Sequence, residues 1–331
     1  MRICSQCVLP DTFPGIQFNA AGICSFCLRH RGSPDLDEKK KRYRDRFDAL
    51  ARNYRDRGLY DALVSYSGGK DSTYVLYLLK RKYHLKVLAL TFDNGFLPPQ
   101  TYKNIRSVVR LLGVDHSFLR PDFDLLKSVF AGCAAEDIFM APALVRASTI
   151  CTACMAMVKF SALRLAVEKG IPLVVFGWSP GQIPLASSIV KMTAAMSKHM
   201  QSAVLGPLEK LAGPKIKCLF LGDELFTKSK AFPYFVSPLA FLEYNEEKIL
   251  RSIRRQGWKA PSEVDANSTN CLLNSLANVI HKKEHGYHPY VFELAKLVRE
   301  GYLARDDAIT KLNESERPET LKFVEKKLGI S

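Results

Sequence analysis

The amino-acid sequence predicts an α/β protein built on a doubly wound parallel sheet, with a small cysteine-rich piece before it and a helical subdomain after it. Three observations carry this. From Leu59 to Phe176 short apolar runs alternate with stretches of helical periodicity; Ser67-Gly68-Gly69-Lys70-Asp71-Ser72 joins the first such pair; and beyond Asn245 the apolar spacing is helical throughout. Repeated βα units return the chain in the same direction each time, which lays parallel strands side by side.

In order, Leu59 to Tyr66 reads as the first strand and Thr73 to Tyr83 as its helix. Lys86 to Phe92 is a strand, Gln100 to Leu112 a helix, Asp115 to Leu119 a strand and Phe123 to Ala131 a helix. A helix from Cys151 to Lys169 leads to the strand Pro172 to Phe176. In such sheets ligands lie at the carboxyl ends of strands, so Ser67 to Ser72, Asp93-Asn94-Gly95 and Gly177-Trp178-Ser179 become rims of one crevice. Asp93 and Asn94 either contact ribose or adenine there or form an ordinary Asn-Gly turn. Ser187 to Ala203 is helix-like, with an interruption at Gly213-Pro214. Helices then follow at Glu246 to Gln256, Leu272 to His285, Tyr290 to Glu300, Arg305 to Leu312 and Glu316 to Leu328. The expected domains are 1–32, 33–58, 59–244 and 245–331.

The residues between the first strand and helix form a phosphate cradle. Gly68 and Gly69 permit close backbone approach, N–H groups of the turn and helix N-terminus face an anion, and Ser67, Lys70 and Ser72 add donors. The spacing departs from Gly-x4-Gly-Lys-Ser/Thr and from Gly-x-Gly-x-x-Gly, so neither of those nucleotide-binding patterns applies.

Nine cysteines are better explained by metal or redox chemistry than by disulfides in the cytoplasm, where the chain is expected to reside. Cys4-x2-Cys7 and Cys24-x2-Cys27 can close a tetrahedron of thiolates around Zn²⁺, a structural site with no open position. Residues 35 to 57 then form an amphipathic helix expected to dock this knuckle onto the catalytic domain. Cys151 and Cys154 stand where a loop enters a helix, where the helix dipole is expected to lower their thiol pKa values. They form a redox pair or two ligands of a metal centre. Cys271, in the polar turn Asn267 to Cys271, is the best third ligand, while Cys133 and Cys218 read as buried small hydrophobes. Three cysteines and one open iron suit a [4Fe-4S] cluster.

SGGKDS resembles the PP-loop of the N-type ATP pyrophosphatases. That resemblance implies an adenine nucleotide alpha hydrolase-like (HUP-type) fold that binds ATP and Mg²⁺ through Ser67, Gly68, Gly69, Lys70, Asp71 and Ser72, with Asp93 and Gly177 on the rim. It also implies cleavage of ATP between the α and β phosphates, adenylation of a substrate oxygen, and Asp71 near the Mg²⁺. The order Cys151, Cys154, Cys271 resembles that of PP-loop tRNA thiolation enzymes, which implies catalytic roles for these cysteines and sulfur as the incoming atom. Residues 4–27 (CSQCVLPDTFPGIQFNAAGICSFC), FDNGF, and Gly286 to Pro289 with Leu297 to Ala308 resemble N-acetyl sugar amidotransferases, which implies ammonia from a glutaminase partner instead.

The leading expectation is therefore an ATP-dependent sulfurtransferase of the PP-loop type, with a sulfur donor as partner and the cluster or a persulfide on Cys151 or Cys154 delivering sulfur. An amidotransferase and a zinc-knuckle RNA-binding module stay open. No side-chain general base is read from the sequence. A formal charge of +15, from 48 Lys and Arg against 33 Asp and Glu, favours an anionic substrate such as tRNA, a nucleotide-sugar or another phosphorylated metabolite. Trp178, Gln182 and His288 are candidate contacts to it. With no apolar run on the order of 18 residues, no membrane association is expected; a homodimer is left open.

Overall fold

The computed structural model describes residues 2–30, 35–228, 231–265 and 267–330. Six strands form one sheet: β1 (Ala62–Ser65), β2 (Val87–Phe92), β3 (Asp115–Leu119), β4 (Leu173–Phe176), β5 (Ile189–Lys191) and β6 (Tyr234–Val236), in the order β3-β2-β1-β4-β6-β5. The β1, β2, β3, β4 and β6 ladders are parallel, and β5 closes the edge antiparallel to β6. Strands covered on both faces read as near-continuous apolar runs, and VLALTF is buried throughout, its one hydroxyl, on Thr91, donating to the Tyr66 carbonyl.

Successive side chains leave a strand on opposite faces. Leu63, Leu88, Leu90, Val174 and Phe176 face the layer holding the helices Phe123–Ala135 and Thr149–Glu168. Ala62, Val64, Val87, Ala89 and Val175 face the layer of Lys70–Arg81 and Pro99–Leu112. Helix Thr149–Glu168 has the length and mean hydropathy (1.6) to cross a bilayer, a property that a search for unbroken apolar runs misses. Here it packs against β1 and β4, with Ala153, Met157, Phe160 and Leu163 buried.

The helix-like reading of Ser187 to Ala203 is corrected: Ile189–Lys191 is the edge strand, and the helix runs Ala194–Ala212 behind a Thr193 cap. Three strand residues are too few to display a period of two. The sheet is accordingly mixed at its edge.

Helix Leu36–Tyr54 does dock on the sheet domain, through Phe47 against Tyr83 and Phe241. The cysteine knuckle docks elsewhere, on the C-terminal helices. Phe13 stacks on Phe292 at 5.5 Å and meets Tyr287 edge-on, Thr12 donates to the Gly286 carbonyl, and Arg305 donates to the carbonyls of Cys4 and Cys7. Knuckle and C-terminal helices share one apolar cluster. The boundary expected between residues 32 and 33 lies outside the described residues.

This part of the fold also buries neutral histidines. Burial and His285 bring His281 down to about 4, and burial with Lys282 and His281 brings His288 down to about 3. Both lie below the ordinary 6.5, so between these values the unfolded chain takes up protons that the folded one refuses. Stability present at pH 7 is lost as pH falls below 6.5, at roughly 1.4 kcal/mol per pH unit for each histidine. Urea midpoints should therefore fall between pH 7 and pH 5, and His288→Asn should flatten that slope.

Candidate functional site

β1 ends at Ser65 and the helix Lys70–Arg81 begins five residues later, with Gly69 as its cap. The turn between them lies where the strand order reverses, between β1 and β4, the position at which open parallel sheets bind ligands. Gly68 has φ +75°, and its carbonyl accepts from the indole Nε1 of Trp258 at 3.0 Å. At Gly177 a side chain would lie 2.5 Å from the Ser72 nitrogen, so only glycine lets the end of β4 pass the helix N-terminus.

Residues Asn267 to Asn270 lie over the cradle. Thr269 Oγ1 accepts from the Lys70 backbone N–H at 3.0 Å, and Asn270 Nδ2 donates to the Ser67 carbonyl at 3.3 Å. Ser67 Oγ and Ser72 Oγ are 3.1 Å apart. Together with Phe176, Gly177 and Trp178 these residues line a cavity of about 260 Å³. Of the eight residues expected at the ATP site, Ser67, Gly69, Lys70, Asp71, Ser72 and Gly177 line this cavity, whereas Gly68, within the same turn, and Asp93 do not.

The Lys70 ammonium is turned toward an acidic group: Glu246 at 2.9 Å, Tyr244 Oη at 3.3 Å and Asp71 at 3.6 Å. Burial lifts the Asp71 carboxyl above its ordinary range against the pull of Lys70. For Glu246 burial works the same way but Lys70 prevails, and its carboxyl lies below the usual value. A loop N–H array beside a lysine and a carboxylate offers both halves of a phosphate–Mg²⁺ site.

Asp93 has other partners than a ribose. Its carboxylate accepts from Gly95 N–H, Tyr102 Oη (3.0 Å) and Arg120 Nε (2.8 Å), which fixes the turn after β2. Asn94 follows from this: its Oδ1 accepts from Phe96 N–H, and its Nδ2 faces Cys271 Sγ at 3.3 Å and Cys154 Sγ at 3.7 Å.

The fold therefore brings Cys154 and Cys271, 117 positions apart in the chain, to one amide, while Cys151 Sγ faces Asn274 Oδ1 at 3.6 Å. The expected lowering of the thiol pKa values does not occur. Burial pushes Cys151 up to about 12 and raises Cys154 and Cys271 as well. Desolvation of a thiolate exceeds the benefit of a helix N-terminus, whose Cys151 N–H already binds the Ser148 hydroxyl. Of the two remaining cysteines Cys133 is buried, whereas Cys218 is exposed in the short helix Pro214–Leu219, contrary to its reading as a core residue.

The knuckle cysteines fit zinc. Zn–S bonds of ~2.3 Å in a tetrahedron place sulfurs ~3.8 Å apart; Cys4–Cys27 and Cys7–Cys24 are 3.8 and 3.7 Å apart. All four are buried, and Arg299 Nη1 lies 3.6 Å from Cys7 Sγ, an outer-sphere donor of the kind that steadies a metal-bound thiolate. Cys154 and Cys271 meet at the Asn94 amide, and among the described residues Cys151, Cys154 and Cys271 are not a set with all sulfurs within 4.8 Å.

Two residues, Trp258 and Glu293, escape sequence reasoning, and for Asn94, expected on the crevice rim, what escapes it is the pair of cysteine partners. Trp258 and Asn94 act through hydrogen bonds to distant partners. Glu293 donates none, but accepts from Ser179 Oγ at 2.6 Å, and burial lifts its carboxyl to about 7. It lines a second cavity, of about 330 Å³, that shares Met155, Trp178, Gln182 and Tyr290 with the first. The only sequence signal for Glu293 is a carboxylate in an otherwise apolar helical run. For Trp258, replacement by phenylalanine keeps one aromatic ring but removes a buried hydrogen bond and leaves the space of the second indole ring unfilled. The expected loss is about 2 kcal/mol in stability together with a several-fold rise in the KM for ATP, read from thermal melts and pyrophosphate release.

A strand, an SGGKDS turn and a helix N-terminus at the switch point of a parallel sheet define an ATP-utilising PP-loop domain. Residues 61–173 carry a domain of the N-type ATP pyrophosphatase kind. The family described as Queuosine biosynthesis protein QueC matches residues 61–173. The uncharacterized protein MJ1599 of Methanocaldococcus jannaschii is 24% identical over 319 residues, which cover 96% of this chain and 95% of that protein. Among solved structures, the U34-tRNA thiolase NcsA from Methanococcus maripaludis with its [4Fe-4S] cluster is 18% identical with a TM-score of 0.37, covering 96% of this chain and 90% of that one. NMN synthetase from Francisella tularensis is 12% identical with a TM-score of 0.39, covering 88% and 95%. The assignment rests on the loop, its setting and the family match, not on these two likenesses.

Proposed function

We propose that the protein adenylates a carbonyl or amide oxygen of its acceptor with ATP and replaces that oxygen with sulfur. One observation carries this reading: the cysteines stand at the wall between two cavities, with Cys154 lining the one at the phosphate cradle and Cys151 lining the one beside it. Sulfur supplied there reaches an acceptor activated at the cradle.

The acceptor oxygen attacks the α-phosphorus, the bond to the α–β bridging oxygen breaks, and pyrophosphate leaves. Backbone N–H groups of the cradle, Ser67 and Ser72 receive the growing negative charge, and Lys70 adds a cation within the same wall. Asp71 would hold Mg²⁺. Glu293, with a carboxyl poised near neutrality in the adjoining cavity, takes the proton of an acceptor N–H. Hydrosulfide then adds to the activated carbon, the C–O bond breaks, and AMP departs with the acceptor oxygen. Cys151, Cys154 and Cys271 would hold a [4Fe-4S] cluster, which when bound supplies an iron without a protein ligand at which sulfide can dock. Asn94 fixes the positions of Cys154 and Cys271.

The test is anaerobic purification with iron, sulfide and zinc quantified, then pyrophosphate release with unmodified tRNA and UDP-sugars in sulfide or in ammonium. Four irons and about one zinc per chain with sulfide-dependent turnover are expected. Iron-free anaerobic protein that turns over faster with ammonium would replace sulfur transfer by amide transfer.

A further inference from the structure

Outside both cavities stands a polar group whose close contacts its hydrogen bonding does not explain. Asp137, Glu284 and His285 each offer a carboxylate oxygen or ring nitrogen within 4.8 Å of the others. His285 Nε2 lies 3.0 Å from Asp137 Oδ2, yet the two are not aligned for a hydrogen bond, and this buried nitrogen has no partner among the described residues. One turn earlier on the same helix, Leu273–His285, His281 is 1% exposed and its Nε2 is unpartnered too. The two rings lie 4.3 Å apart, and the Asp137 charge acts on His281 as well. Two neighbouring imidazoles with orphaned nitrogens beside a carboxylate are costly unless a ligand takes them up.

The donors define that ligand. A hydrogen-bonded pair points its N–H at the oxygen, whereas two metal ligands point their lone pairs at a third position between them. Zinc bonds of ~2.0–2.1 Å in a tetrahedron place nitrogen and oxygen ~3.3 Å apart, close to the separation of His285 and Asp137. An ion, unlike a ring, fits between atoms that leave no room for water, as one fits among the buried sulfurs of the knuckle. The other Asp137 oxygen, Oδ1, accepts from Thr149 Oγ1, a support of the kind that orients metal-binding carboxylates. His281, Glu284 and His285 are spaced i, i+3 and i+4, so one helix face presents them together. An imidazole with two carboxylates suits a first-row divalent ion better than Mg²⁺ or Ca²⁺, which favour oxygen alone. We propose that Asp137, Glu284 and His285 bind such an ion, zinc being the probe, with His281 available for a fourth position. Thr149 opens the helix that carries Cys151 and Cys154, and the helix ending at His285 begins directly after the Cys271 turn. The ion thus ties together the elements that supply the three site cysteines. The His285 and Asp137 side chains are 24% and 30% exposed, so it exchanges with solvent and is held less tightly than zinc on four thiolates. Protein purified without added metal is therefore expected to lack it.

Equilibrium dialysis of the full-length protein against zinc, with metal quantified on both sides, tests this. The native chain is expected to take up about one zinc more than His285→Ala, and Asp137→Asn to match His285→Ala. The cysteines are the same in all three proteins and cancel in the difference. Crystals of the native protein grown with zinc and measured at the zinc absorption edge are expected to show anomalous scattering between Asp137 and His285, with the knuckle as internal control. Equal uptake by the native and His285→Ala proteins, or a knuckle peak with none at Asp137 and His285, overturns the site and leaves an ion pair only. Should either variant fail to fold, the anomalous map of the native chain decides.

Discussion

Replacing Cys7 or Cys24 by serine is expected to remove zinc and to unseat the C-terminal helices along with the knuckle. The knuckle has little core of its own: its four cysteines, Val8, Leu9 and Phe13 are buried in one cluster with Tyr287, Val291, Leu294, Leu297 and Ala308. Arg305 donates to the carbonyls of Cys4 and Cys7, contacts that require both turns to be held in place. Structural zinc contributes on the order of 10 kcal/mol in isolated small domains. Only part of that reaches the remainder of the chain, so a drop on the order of 10 °C in Tm is expected. Metal analysis and thermal melts of Cys7→Ser check this. A variant that lost zinc yet melted with the native protein would show that the knuckle is not a structural support.

How far this was legible in the sequence depends on whether the cause was local. Each βα unit could be read because strand, turn and helix are contiguous, and β3 is found at Asp115–Leu119 as its pattern indicates. Strands β5 and β6, three residues each, carry too little periodicity, and only the sheet edge they complete identifies them. The docking of the knuckle on the C-terminal helices joins segments some 270 residues apart, as in the Thr12–Gly286 hydrogen bond, and no local pattern encodes it. The thiol pKa values failed for a related reason. A helix N-terminus is visible in sequence, whereas the burial that outweighs it is a property of the whole fold.

In the sequence the polar turn Asn267 to Cys271 stands out only as the setting of a third cysteine ligand. It has a second position: Thr269 and Asn270 lie against the cradle and the next residue is a site cysteine. Thr269 Oγ1 accepts the Lys70 N–H, a donor that the fold otherwise directs at a phosphate. Residues lying against the phosphate cradle and one of the three site cysteines thus share one short turn, which would tie together the geometry of the two proposed half-reactions.

That arrangement makes the half-reactions separable by substitution. Asp71→Asn keeps the shape of the side chain and removes the charge expected to hold Mg²⁺; because Lys70 retains Glu246 at 2.9 Å, the fold should persist. Pyrophosphate release is expected to fall about a thousandfold or more, and product formation with it, since both the metal and the charge it neutralises are lost at the transferring phosphorus. Lys70→Ala is the poorer probe, because it leaves Asp71 and Glu246 without their shared cation and is destabilising for that reason alone. Cys271→Ala should behave in the opposite sense. It leaves the cradle intact, so acceptor-dependent pyrophosphate release continues within about an order of magnitude of the native rate, while thiocarbonyl product is lost. Rapid-quench measurement of pyrophosphate and product in the same samples distinguishes the two variants. If Cys271→Ala formed product at the native rate, the cysteines would have no part in the second step and the incoming nucleophile would have to be one that needs no sulfur site.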